Sequence, residues 1–461
     1  MGRAIELGGM PGLAAITAGQ RHQYPLRLVM HYPRTIQSCA LILSSVSLFA
    51  QSGPPAAEYR IYAGSTHAHT AYTWSHGEQF ARNGCAGILV YGPSPSSPAA
   101  YVWSDGYVKS KNKCPGIYVI NSYQYPSPGV TLRLDWKEHQ GPPSEHFRRA
   151  KADGYDFYVS TDHSQEAAFQ PPSADNPTWA SAKREAAEAT DGHFAGLAGF
   201  EYSENDGPGG VGHLNVINSA GMLNALAPGV DLPHFYKWLE TAAANGEGPV
   251  VASFNHPGPE QYNNWAYRDS GITDIITMLE VINSNNKIHY AGFINALDHG
   301  WKVSPVCGND NHGLAGIARN TSRTLVLANE LTKAGILDAM KHRRTYASLD
   351  KNIQCRYTVN GAVMGSTLDR PTAFRFAIAI NDPDTGNPND KITKIDIVKD
   401  GGAVAQTYTP TPGYSVRWSP ILNDSTSKFF FVRVWTAGGG DAPGADPANP
   451  VAWLAPVWTG R

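Results

Sequence analysis

Two histidines one residue apart, His67 and His69, close the run Arg60-Ile-Tyr-Ala-Gly-Ser-Thr66. If that run is a strand, residues two apart share a face, so both imidazoles point the same way and can grip one cation. Alone, the pair reads more readily as two packed or surface histidines. Six further stations change that reading. Tyr155–Thr161 ends in Asp162-His163, Gly196–Phe200 in Glu201, and Pro249–Phe254 in Asn255-His256-Pro257. Ile275–Leu279 ends in Glu280 and Val303–Gly308 in Asn309-Asp310-Asn311-His312, while Gly212–Ile217 carries His213 near its start. Histidines and carboxylates at the ends of apolar strands cost free energy to desolvate unless something pairs with them. A shared metal cluster satisfies them together.

The elements that position these residues follow from the pattern between them. Phe235, Trp238, Leu239 and Ala242 fall on one face of a helix opened near Asp231 and Pro233. Trp179–Ala189 and Glu330–Arg343 read as further helices, the second closing around His342, Arg343 and Arg344. Strands alternating with helices imply a parallel α/β sheet. About seven strand candidates between Arg60 and Gly308 suggest a closed barrel. In such barrels reactive groups gather at the carboxyl ends of the strands, where these stations lie.

At this point the chain resembles the PHP (polymerase and histidinol phosphatase) superfamily of metal-dependent hydrolases. The stretches that carry the resemblance are His67-Ala-His69-Thr70, Ser160-Thr-Asp-His163, Gly199-Phe-Glu201, Gly212-His213, Asn255-His256-Pro257 and Gly308-Asn-Asp-Asn-His312. Within the superfamily the chain looks most similar to CehA/McbA-like metallohydrolases, which also carry a β-rich C-terminal segment like Arg356–Gly361 here. The resemblance implies a distorted seven-stranded β/α (TIM-like) barrel with two or three divalent ions per chain. It places His67, His69, Glu201 and Asp310 on a first ion, with Glu201 bridging to a second completed by His213 and His256. His163 and His312 would hold a third. Relatives often supply an aspartate there, in Ser-Asp-Gly; this chain reads Ser75-His76-Gly77, which makes His76 the candidate. Asn309 also replaces a frequent serine.

The chemistry fits that ligand set. Six imidazoles and two carboxylates, leaving His76 aside, suit Zn²⁺, Mn²⁺ or Fe²⁺ rather than Ca²⁺ or Mg²⁺. A carboxylate shared by two cations holds them about 3.5–4 Å apart, where a bridging hydroxide forms near neutral pH. No Ser or Cys nucleophile is then required, and Glu201, Asp310 and His312 are the residues expected nearest the chemistry. Asp162 is expected to orient a ligand rather than to be one. Glu280 suits a structural or a catalytic role equally. Arg319 reads as a loop arginine that could meet an anionic leaving group, and His234 and His289 as surface or packed residues.

Residues 1–52 do not read as part of the fold. Met30-His-Tyr-Pro-Arg34 and the apolar Cys39–Ala50 resemble a signal peptide with an internal start, cleaved near Ala50-Gln51-Ser52. The apolar run is short for a membrane span. The expectation is therefore a secreted or periplasmic protein with no membrane span after cleavage. Its remainder has 33 Lys and Arg against 38 Asp and Glu, a net charge of -5. No basic block suggests nucleic acid as a partner. The barrel is expected over 59–350, with an insertion at about 78–140 that is rich in Gly, Pro and Ser. That insertion holds Tyr101, Trp103, Tyr107, Tyr118, Tyr123 and Tyr125, which could wall a pocket or pack the insertion. It also holds Cys85 and Cys114, which could form a disulfide in an oxidising compartment. Cys307 reads as a small buried hydrophobe.

After Asp350 the helices stop. Phe374, Phe376, Ile378 and Ile380 alternate along one strand. Further strands at Lys391–Lys399, Phe429–Thr436 and Ala452–Trp458 make 351–461 an expected all-β sandwich.

The expected activity is hydrolysis of a small-molecule ester. A phosphoester is favoured, with an aryl carbamate, other amide or carboxyl ester as the alternative on the same metal site. A reading from another class is a non-catalytic extracellular binding protein with structural metals. Oligomeric state is not legible in the sequence.

Overall fold

The computed structural model describes residues 59–73, 141–166, 169, 172–204, 210–246 and 248–461, and the backbone of two paired strands, Ile88–Tyr91 and Pro98–Val102. His76, Cys85, Cys114, most of the aromatic insertion and the leader over 1–52 lie outside the described residues.

Seven strands carry the stations: β1 (Arg60–Ser65), β2 (Phe157–His163), β3 (Ala195–Ser203), β4 (His213–Ile217), β5 (Val251–Asn255), β6 (Ile276–Asn283) and β7 (Ser304–Cys307). They lie side by side in the order β7-β6-β5-β4-β3-β2-β1. The two ends of the run meet. Thr66 N–H donates to Cys307 O at 3.4 Å, and beyond the strand ends His69 N–H donates to Asn311 O at 2.9 Å.

The sheet is mixed rather than parallel. β4 runs antiparallel to both β3 and β5, while β1–β2–β3 and β5–β6–β7 are parallel. Only residues 204–212 separate β3 from β4. A parallel crossover needs a dozen residues or more, so the chain turns straight back. This reversal explains why His213 begins its strand: the start of β4 lies on the same rim as the ends of its neighbours.

The helices begin where the sequence provides caps. Asn176 Oδ1 accepts from Thr178 N and Trp179 N, both at 3.0 Å, opening α1 (Pro177–Ala189). Asp231 Oδ1 accepts from His234 N at 2.9 Å and opens α2 (Leu232–Ala244). Thr332 caps α3 (Lys333–Lys341), shorter than the expected 330–343 because that cap sets its start. Ile336, Leu337, Ala339 and Met340 of α3 pack with Phe157, Leu197, Val251, Met278 and Val306 in one apolar cluster. The polar stations occupy the opposite ends of these strands.

The sheet continues past β1 through antiparallel β8 (Arg323–Ala328) and β9 (Thr345–Ser348). Two further strands, β10 (Gln354–Val359) and β11 (Ala373–Asn381), belong to a five-stranded second sheet. Strands β12 (Ile392–Lys399), β13 (Phe429–Thr436) and β14 (Ala452–Leu454) form the layer opposite. That layer is not a separate sheet, because Tyr346 and Ala347 of β9 pair with Leu454 and Trp453 of β14. The alternation along β11 buries Phe374 and Phe376 against Phe430, with ring centroids 4.7 and 6.0 Å apart.

Candidate metal centre

The chain reaches the centre under local strain that its hydrogen bonds offset. His256 and Asp310 adopt the left-handed region, at φ 31° and 46°. Such conformations cost on the order of 1–3 kcal/mol each for non-glycine residues. His256 N–H donates to Glu280 Oε2 at 2.8 Å, and Asp310 N–H donates to His67 O at 3.0 Å. Gly308 is required for close approach: a Cβ there would fall on Glu280 Oε1 and within 2.8 Å of His67 Cβ.

Glu201, buried at the end of β3, is the hub. Its Oε1 lies 3.3 Å from His67 Nε2, 3.2 Å from His213 Nδ1 and 3.5 Å from His256 Nε2. Its Oε2 lies 2.9 Å from His163 Nδ1 and 3.6 Å from His69 Nε2. Asn255 Nδ2 donates to Oε1 at 2.9 Å and Ser203 Oγ to Oε2 at 3.0 Å. These polar atoms outnumber the roughly four lone-pair positions of a carboxylate. The Nε2 atoms of His67 and His69 are 3.0 Å apart, and Asp310 Oδ1 is 3.1 Å from the latter. Donor atoms that converge in excess of their mutual hydrogen bonds are what a cation site presents. Three overlapping sets can each close on one ion: His67, His69 and Glu201; Glu201, His213 and His256; His69, His163 and His312.

The electrostatics point the same way. Burial alone would depress His67, but Glu201, Glu280 and Asp310 outweigh it and hold its pKa well above the usual value. His69 goes the other way, to about 3, through burial and then repulsion from His163. Burial would raise Glu201, yet His67, His213 and His163 hold it well below the carboxylate range. Negative charge concentrated in a buried space draws positive charge from any available source.

A supporting layer fixes the donors. Glu280 Oε1 lies 2.8 Å from His67 Nδ1, leaving Nε2 to face Glu201. Among the described residues Asp162 makes no bond to an imidazole. Its carboxylate accepts from Thr70 N and Oγ1 and from Thr73 N and Oγ1, at 2.6–3.0 Å. Thr73 Oγ1 lies 3.2 Å from His69 Nδ1, so Asp162 orients His69 through that threonine. Sequence reasoning missed Ser203 and Thr73, which carry no spacing signal, and gave Asn255 no role of its own within Asn255-His256-Pro257. The side chains they contact, Glu201, His163 and His69, are among those the sequence singled out.

A cavity of about 630 Å³ opens over the centre, lined by His163, Glu201, His213, His256, Asp310 and His312. An adjoining space of about 360 Å³ shares Asp310 and His312 and reaches Arg319. His234 is exposed on α2, as expected. His289 differs from expectation: it precedes a helix (Tyr290–Asp298) and lines the larger cavity, because its Nδ1 is held 3.2 Å from Pro257 O. Cys307 is buried and its thiol pushed up to about 12 by desolvation. Among the described residues no helix is long and apolar enough to cross a membrane.

No family model matches the chain. An uncharacterized protein of Chlamydia muridarum is 23% identical over 148 residues, which cover 29% of this chain and 22% of that protein's length. A solved two-domain protein from Bacteroides vulgatus, containing a predicted PHP-like metal-dependent phosphoesterase, is 14% identical with a TM-score of 0.38. The match covers 88% of this chain and 97% of that one.

Proposed function

We propose that this chain is a metal-dependent hydrolase of the PHP superfamily, of its CehA/McbA-like branch, acting on a phosphoester. The observation that carries the reading is Glu201, whose two carboxylate oxygens face two different sets of imidazoles. His67, His69, Glu201 and Asp310 would hold one ion, Glu201, His213 and His256 a second, and His163 with His312 a third to which His76 contributes. Zn²⁺, Mn²⁺ or Fe²⁺ suits these nitrogen-rich sets. Such ions supply a water deprotonated near neutral pH and neutralise charge on an ester oxygen.

The chain's own residues provide the rest. Glu280, Asn255, Ser203 and Asp162 fix the orientation of the donors before substrate arrives, which lowers reorganisation during reaction. Lys287 and Arg319 stand on the walls of the two adjoining cavities, and their cationic heads suit an anionic phosphoryl group better than a neutral carbamate. The seven-strand run reads as the distorted barrel, and the leader reading makes the protein an exported one.

Turnover of p-nitrophenyl phosphate, bis-p-nitrophenyl phosphate and 1-naphthyl N-methylcarbamate by Mn²⁺- or Zn²⁺-loaded protein tests this. Hydrolysis of a phosphoester is expected. Turnover of the carbamate alone would reverse the substrate assignment, and less than one tightly bound ion per chain would sink the metal reading.

A further inference from the structure

A second group of ligand-type side chains lies where β9 passes the chain into the second sheet. We propose that Asp350, Asp382 and Asp390 bind a hard divalent cation, Ca²⁺, separate from the histidine centre. Asp350 follows β9, Asp382 follows β11 directly, and Asp390 precedes β12, so one ion would tie three segments of the double layer together. The three residues are 1%, 0% and 2% exposed, and one carboxylate oxygen from each lies within 4.8 Å of the others.

At Asp382 the loop geometry uses one oxygen and leaves the other. Asp350 Oδ1 accepts from Asn352 N and Ile353 N at 2.8 and 2.7 Å, and Asp382 Oδ1 accepts from Asp384 N at 2.9 Å. Among the described residues Asp382 Oδ2 and Asp390 Oδ2 are buried with no hydrogen-bond partner, as is Asn352 Oδ1. Among the described residues none of the three aspartates enters an ion pair. Buried carboxylates this close together, two of them with an unpaired oxygen, are costly without a counter-charge. Burial, then repulsion from Asp441 and Asp382, pushes Asp350 up to about 7, and burial foremost brings Asp382 to about 6. A cation would offset that cost. The donors are oxygens alone, which select Ca²⁺ over the nitrogen-preferring ions suited to the histidine centre.

The test uses the full chain with its histidine centre loaded with Zn²⁺. Calorimetric titration with CaCl₂ should show one Ca²⁺ per chain, and saturating Ca²⁺ should raise the Tm by about 5 °C. Asp382→Asn combined with Asp390→Asn should lose both effects while retaining its bound Zn²⁺. Because the substitution removes repulsion, that variant without Ca²⁺ should melt no lower than the wild type without Ca²⁺. Glu201→Gln should keep the Ca²⁺ response, and this decides the location even if the aspartate variant fails to fold. Absence of Ca²⁺ binding and of a Tm shift in the wild type overturns the proposal. So does loss of the response in Glu201→Gln with retention in the aspartate variant.

Discussion

Glu280 lies directly behind His67, with its Oε1 2.8 Å from Nδ1 and both side chains fully buried. Its other oxygen accepts from His256 N–H and Asn283 Nδ2, each at 2.8 Å. One carboxylate thus orients a ring on β1's end and the strained backbone on β5's end. The donors of two different ion sets share a single support.

Glu280→Gln keeps the shape but removes the charge that fixes His67. Loss of such a support typically costs 10–100-fold in metal affinity. The expected result is a drop of about one to two orders of magnitude in affinity for the tightest ion, with the fold intact. Chelator competition with circular dichroism as the fold control measures this; unchanged affinity would contradict the assignment.

Glu201→Gln should be the most damaging single change at the centre, because Glu201 Oε1 faces His67, His213 and His256 and its Oε2 faces His69 and His163. We expect metal content to fall, with loss of turnover to background. Elemental analysis of the purified variant checks it, and full metal content would remove the bridging role.

Much of this centre was legible because its residues are chemically unusual for their places. A histidine at the end of an apolar strand demands an explanation, and His67, His69, His163, His256 and His312 each posed that demand. Serine 203, Asn255 and Thr73 did not, since such residues are common at strand ends and turns and their partners are far away in sequence. The direction of β4 was hidden as well: apolar alternation is the same read either way, and only the short 204–212 connection held the clue. Asp350, Asp382 and Asp390 carry no sequence signal of their own, since aspartates are common in the turns between strands and only the fold brings these three together.

Asp424 provides a pH prediction away from both sites. Its Oδ1 accepts from Thr426 N and Ser427 N, both at 2.8 Å, and Oδ2 accepts from Ser427 Oγ at 2.7 Å and Lys399 Nζ at 3.1 Å. Burial would raise its pKa, but these bonds hold it well below the usual carboxylate range. A depressed folded-state pKa gives stability that is present above the unfolded value near 4 and lost as the pH falls below it. Asp424→Asn should therefore cost about 1–2 kcal/mol at pH 7. Urea unfolding at pH 7 and at pH 3 should show that difference shrinking in acid; a constant difference would mean the charge contributes nothing.

His289 tests how the cavity meets its substrate. Its Nδ1 is taken by Pro257 O, its Nε2 is buried with no partner among the described residues, and the ring stands 6.3 Å from that of His256. Burial lowers its pKa to about 4, so the ring is neutral at pH 7, with Nε2 an unpaired acceptor on a side chain that lines the cavity. A hydroxyl or a bound water on the substrate is the natural donor to it. Losing one such hydrogen bond is worth about 1–1.5 kcal/mol, roughly tenfold in kcat/KM. We expect His289→Ala to lose about that factor while keeping every metal ion, and His289→Gln, which restores an acceptor, to recover part of it. Steady-state kinetics on the best substrate, with metal analysis of the same preparations, separates the cases. Loss of metal in His289→Ala would make the residue a support of His256, and unchanged kinetics would return it to the packed histidine that its sequence context suggested.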